Sequence, residues 1–219
     1  MMSAVRYPVV ELRQYTLRPG QRDVLIDLFD REFVESQEAD GMAIVGQFRD
    51  LDDPDRFTWI RGFASMPARA RALASFYGGP VWKANSAAAN ATMIDSDNVL
   101  LLRPVTARSG FPPPAAARPP AGDGAAAPSH AAAEAGATPL ASLQTEHAEN
   151  TFPALPVRTG ENVFAWLARF PSPALLDDHL RQIERSAEWR DRVFPALSAL
   201  ITGLPQRLRL APTIRSQLR

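Results

Sequence analysis

The feature that most constrains this chain is a repeat in its aromatic residues. All four tryptophans fall into two pairs with one offset: Trp59 and Trp166 are 107 residues apart, as are Trp82 and Trp189. Phe57 and Phe164 share that offset, and so do Phe63 and Phe170. With one extra residue, Asn98-Val99-Leu100-Leu101-Leu102-Arg103-Pro104 aligns with Gln206-Arg207-Leu208-Arg209-Leu210-Ala211-Pro212. Upstream, Gly41 and Gly136 each follow an acidic, alanine-containing stretch. Bulky aromatics kept at one spacing identify an internal duplication, so the 219 residues form one structure from two related halves.

The halves are separated by residues 105–139, which hold 13 Ala, 7 Pro and 4 Gly and only two larger apolar residues, Val105 and Phe111. Such a stretch buries little surface against a backbone ordering cost of about 1–2 kcal/mol per residue. The expected organisation is a first unit over 1–104, an extended linker over 105–124 and a second unit over 125–219. Ala125 to Ala135 is expected to form a short helix, with Ser129 as its cap.

In the first unit, Val9 to Leu17 alternates like a strand. Pro19-Gly20 is a turn, and Val24, Leu25, Leu28, Phe29 and Phe33 recur at helical spacing. Two strands follow, 42–49 and 56–63, joined by the turn formers Asp50 to Asp55. A helix from Pro67 breaks at Gly78-Gly79-Pro80 and resumes, and Val99 to Arg103 is a last strand. This β-α-β-β-α-β order is ferredoxin-like. The second unit shows strands at about 139–146, 163–170 and 206–211, and helices over 173–202, but no candidate for its first strand. The fold class expected is therefore α+β: two ferredoxin-like repeats forming an α/β barrel within one chain, the second truncated.

Strand alternation places Glu11, Arg13, Tyr15, Val45, Gln47, Arg49, Phe57, Trp59 and Arg61 on one sheet face. Val10, Leu12, Ile44, Phe48, Ile60, Leu100 and Leu102 fall on the other. The apolar face is expected to pack on the helices. The mixed face is expected to line a barrel interior, covered by a second sheet carrying Phe164, Trp166 and Phe170.

Several motifs resemble those of the NIPSNAP-domain family. They are Glu11 to Gly20 (ELRQYTLRPG), Gly46 to Phe57 (GQFRDLDDPDRF), Phe76 to Trp82 (FYGGPVW) and, in the second half, Glu146 to Pro153 (EHAENTFP). The resemblance covers roughly 7–104 and 140–215 and implies the dimeric α/β-barrel architecture. Its bacterial members mostly lack an assigned activity, so it implies fold more than chemistry. The Ala/Pro segment stands where a strand and helix of that architecture belong.

Composition excludes much chemistry. There is no cysteine, hence no thiolate catalysis and no cysteine-ligated metal. Three dispersed histidines argue against a metal centre, and no cofactor is expected. Lys83 is the only lysine. Equal numbers of acidic and basic residues, 24 each, argue against nucleic acid or an anionic membrane as partner. No leader or membrane span is expected, which points to the cytoplasm. The expected ligand site is the mixed face: Arg13, Arg49 and Arg61 gripping an anion, with Tyr15, Gln47, Trp59 and Trp82 beside it. Tyr15, or Glu146 with His147, are the candidate acid–base groups. The alternative for the first group is a buried ion-pair network of Glu11 with Arg13 or Arg61; for the second, a capped loop. Two functions follow: binding of a small anionic or aromatic molecule, with or without cofactor-free catalysis, or a non-enzymatic interaction module with a solid barrel. A homodimer is expected, because a truncated sheet leaves an edge to be covered.

Overall fold

The structure is a computed structural model that describes residues 6–114, 117–121 and 138–218. Strand β1 (Val9–Leu17) leads into α1 (Arg22–Leu28), which passes through a π-helical turn (Phe29–Phe33) into α2 (Val34–Ala39). Gly41, at φ +91°, ends this run in the left-handed region that favours glycine. Strands β2 (Ala43–Asp50) and β3 (Arg56–Phe63) form a hairpin, its turn held by the Asp50 carboxylate accepting from the amides of Asp52 and Asp53. Helix α3 (Met66–Gly78) starts on Ser65, whose hydroxyl accepts from Ala68 N, and α4 (Pro80–Thr92) restarts after Gly79. A short β4 (Met93–Asp95) and β5 (Val99–Pro104) complete the first unit.

The second unit contributes β6 (Thr138–Thr145), β7 (Phe164–Arg169), α5 (Pro173–Arg185), a π-helical turn (Trp189–Val193), α6 (Phe194–Ser198) and β8 (Leu210–Pro212). Ser172 caps α5 through Leu175 N, the same contact that Ser65 makes 107 residues earlier. The expected helix over 125–135 lies outside the described residues.

All strands belong to one antiparallel sheet of order β7-β6-β5-β1-β3-β2-β8, with β4 beside β1. The first unit is the ferredoxin-like arrangement β5-β1-β3-β2. The second unit does not lay a separate sheet over it. Its hairpin β6–β7 extends the β5 edge, and β8 extends the β2 edge. The result is an open half-barrel in an α+β fold.

The two faces are the reverse of the sequence expectation. Glu11, Arg13, Tyr15, Phe57, Trp59 and Arg61 lie against the helices, where Phe29, Phe33, Leu73 and Phe76 pack on them. The more apolar face, with Val10, Leu12, Ile60, Leu100 and Leu102 beside the buried Gln14 and Thr58, is the concave side. Alternation identifies two faces but not which one carries the helices when both are buried. A register shift between Ile44 and Gly46 also exchanges residues: Ile44 packs with the helix-side core, and Val45 with the concave core.

The concave side is filled by the chain itself. Phe111 from the connection and Leu218 near the C-terminus are buried there, with Ala141 and Leu143 of β6. The described part of the expected linker is therefore packed: Ser142 N donates to Ser109 O, and Arg118 bonds Ile44 O, Arg215 O and the Glu38 carboxylate. Among the described residues no helix is long and apolar enough to cross a membrane.

Candidate functional site

The charged cluster beneath the helices is built from β1 and β3 outward. Glu11 and Arg13 share a face of β1 because they are two residues apart, and the register sets Glu11 opposite Arg61 and Arg13 opposite Trp59. Arg69 enters from α3, on the buried stripe that also carries Ala72, Leu73 and Phe76. The Glu11 carboxylate is the hub. Arg13 Nη1 reaches Oε2 at 2.7 Å, Arg61 Nη2 reaches Oε2 at 2.7 Å, and Arg69 Nε reaches Oε1 at 2.6 Å. Arg13 Nε donates to Tyr15 Oη at 3.0 Å, and Arg61 Nη1 to Gln37 Oε1 at 3.0 Å. The Trp59 ring lies within cation–π range of Arg13 and Arg61, at 5.5 and 5.1 Å.

All of these groups are buried, so the electrostatics are strong. Burial alone would push the Glu11 carboxyl up; the guanidiniums of Arg61, Arg13 and Arg69 outweigh it and hold the group far below its usual range. Burial raises the Tyr15 phenol despite the opposing Arg13 charge. Burial also lowers Arg69, against the Glu11 charge.

The loop from His147 to Glu161 closes this cluster. Arg69 Nη1 donates to Asn150 Oδ1 at 2.9 Å and to Thr151 Oγ1 at 3.2 Å. Asn150 also accepts from Phe152 N and donates to Leu155 O, while Phe152 stacks on Tyr77. Asn150 and Thr151 thus tie the second half of the chain to the first.

The structure brings together Arg13, Tyr15, Trp59 and Arg61 from the expected ligand set, but as a closed ion-pair network under the helices and not around a barrel cavity. Gln47 shares the face yet bonds elsewhere, to Asp30 Oδ1 at 2.7 Å. Arg49 is half-buried and paired with Asp23, outside the network. Trp82 packs in an aromatic group with Phe33, Phe76 and Tyr77. Glu146 accepts from Ala148 N in its own turn, and His147 is exposed beside a shallow depression of about 240 Å³ that Arg103 and Phe164 also line. Neither approaches Tyr15's cluster in hydrogen-bonding terms, so the candidate acid–base groups do not form one site. Among the described residues no three His, Cys, Asp or Glu side chains converge as metal ligands. Arg69 and Gln37 were missed from sequence. Arg69 had a signal: a charge on the apolar stripe of a helix must find a buried partner.

Residues 10–107 match the family model NIPSNAP. This part of the chain is a NIPSNAP domain. Among solved structures, protein Atu4242 from Agrobacterium tumefaciens is 21% identical, with 44% of this chain and 93% of that one covered and a TM-score of 0.42. An uncharacterized NIPSNAP-like domain protein from Burkholderia xenovorans is 24% identical over 53% and 95%, TM-score 0.42. A putative antibiotic biosynthesis monooxygenase from Chloroflexus aurantiacus is 20% identical over 45% and 93%, TM-score 0.37. No curated protein matches the chain. The NIPSNAP match ends at residue 107.

Proposed function

We propose that this NIPSNAP-domain protein is a non-catalytic interaction module, with its first unit as scaffold and its second as docking face. One contrast carries the reading. Phe57 and Trp59 are 0% and 2% exposed, whereas their repeat equivalents Phe164 and Trp166 are 65% and 51% exposed. Residues that are core in one copy and bare in the other form an apolar patch of the kind that marks a binding surface. The Glu11 network, closed by ion pairs, and the concave side, packed with Phe111 and Leu218, support the same reading.

The test is site-specific photo-crosslinking in cells expressing the full chain. A benzophenone side chain at position 164 or 166 is expected to give adducts of discrete mass, and one at exposed Arg71 in the first unit is not. Adducts from position 71 matching those from 164 and 166, or none from the latter two, would refute it.

A second reading, small-anion binding, has its own observation. Three buried guanidiniums face one carboxylate, and Arg69 Nη2 and Trp59 Nε1 are buried without a hydrogen-bond partner. It requires that phosphate or benzoate raise the melting temperature of the wild type and not of Arg69→Met. Equal shifts in both would exclude it.

A further inference from the structure

The docking reading can be taken to a specific occupant through the strand order. In the first unit β1 lies between β3 and β5 and is antiparallel to both. In the second unit β7 is the counterpart of β3 by the 107-residue offset, and β8 follows the helices as β5 does. Those two strands are the open ends of the sheet. Among the described residues the second repeat has no counterpart of β1, and that strand is the one that belongs between the two open edges. We infer that this position accepts one extended segment of a partner protein, which adds to β7 as an antiparallel strand. The inference rests on the interaction reading above and deepens it.

Other occupants fit less well. A strand between β7 and β8 needs both of its own edges free. Every strand of a folded second copy is already paired on at least one side, so a copy can reach only one edge. Residues 122–137 contain no aromatic and no β-branched residue, and so lack the alternating bulk that a barrel strand carries. An extended segment of a different polypeptide meets both requirements, with main-chain bonds giving affinity and alternate side chains giving selectivity.

The repeat also specifies the chemistry of that segment. In the first unit Arg13 lies opposite Trp59, Tyr15 opposite Phe57 and Glu11 opposite Arg61. Shifted by 107, these positions of the sheet are Trp166, Phe164 and Ala168, and Arg69 becomes Leu176. The aromatic partners survive in the second unit, and two of the arginines that neutralise Glu11 do not. The segment should carry a basic residue opposite Trp166, an aromatic opposite Phe164 and an uncharged residue opposite Ala168. A carboxylate there would be buried with only the guanidinium that the segment itself supplies, two of the three that hold Glu11 being gone.

The experiment is fluorescence anisotropy of labelled synthetic peptides against the full chain. The probe has the sequence of residues 8–17 with Glu11→Thr; the comparison peptide keeps Glu11. The threonine peptide is expected to bind saturably and the glutamate peptide at least about tenfold more weakly. Methylating alternate main-chain nitrogens of the probe should abolish binding while leaving its side chains intact. Trp166→Ala, at an exposed position, should weaken it about tenfold. Absence of binding by the threonine peptide, equal binding of the two peptides, or unaffected binding after methylation overturns the inference. So does a dimer in sedimentation equilibrium that Trp166→Asp dissociates, since the edge would then belong to a second copy. Discrete crosslinks at 164 and 166 with no peptide binding would leave the interaction reading standing and remove only the strand.

Discussion

Glu11→Gln is the sharpest test of the first unit. The substitution keeps size and hydrogen-bonding capacity but removes the one carboxylate that faces Arg13, Arg61 and Arg69, all at most 1% exposed. Only neutral acceptors would remain for the three guanidiniums: Tyr15 Oη, Gln37 Oε1, Asn150 Oδ1 and Thr151 Oγ1. Breaking a buried ion pair from one side costs about 3–5 kcal/mol, against a typical total stability of roughly 5–15 kcal/mol. For a chain of this size that is a fall of roughly 6–20 °C in melting temperature. The pH dependence follows from the sign of the shift. The folded Glu11 carboxyl titrates below its unfolded value of about 4.5, so its stabilisation is present above that pH and is lost as pH falls through the folded value. Glu11→Gln should therefore flatten the stability curve below about pH 4.5 as well as lower it. Urea titrations followed by tryptophan fluorescence and circular dichroism over about pH 3–7 measure both effects. A companion triple variant, Glu11→Thr with Arg61→Ala and Arg69→Leu, copies two residues of the second repeat and removes the carboxylate. It should recover part of the loss, because two of the three guanidiniums that the missing carboxylate would leave unpaired are removed with it, and only Arg13 stays. A loss under about 1 kcal/mol for Glu11→Gln, or an unchanged acid limb, would refute the claim that this carboxylate organises the core.

Three further outcomes are expected. Phe57→Ala should cost about 3–5 kcal/mol by chemical denaturation, and Phe164→Ala close to nothing in the isolated protein, although the two positions are repeat equivalents. Asn150→Ala should cost about 1–3 kcal/mol, because Arg69 loses an acceptor, and should speed limited proteolysis between residues 146 and 161. Gly46→Ala should cost about 1–3 kcal/mol, since an added Cβ would lie 2.6 Å from the Phe48 ring; a crystal structure of the variant should show that ring displaced.

The sequence revealed the element order of the first unit through local signals that tertiary packing did not override. Pro19-Gly20, Gly41 and Gly79-Pro80 mark ends the structure respects. The duplication was legible because tryptophan and phenylalanine are rare enough for a shared offset to stand out. Face assignment failed for a physical reason. The rule that polar residues turn away from helices assumes that one face meets water, but here both are buried, and the charges of the polar face are paired internally on Glu11. The shift after Ile44 then exchanged the faces of Ile44 and Val45, and Gly46 inside the strand was its one sequence mark. The candidate site was legible as residues and not as an arrangement, since Arg69, Asn150 and Thr151 approach β1 from far along the chain.

The inverted faces change what the duplication means. A helix-side core built on Glu11 needs two partners from elsewhere, Arg61 on β3 and Arg69 on α3, and one cover, the loop carrying Asn150. In the second unit the β3 and α3 equivalents have become Ala168 and Leu176, and among the described residues no β1 equivalent enters the strand order. These losses are coupled. Without a β1 carboxylate, arginines at 168 and 176 would stand unpaired in any covered state, at several kcal/mol each. Trp166 and Phe164 have no such dependence: they contribute apolar area to whatever lies across them. The second unit thus keeps the residues that attract a strand and lacks those that would require it to be β1. That combination is expected of a surface adapted to a different segment, and it ties the exposure of Trp166 and the neutrality of Ala168 to one cause.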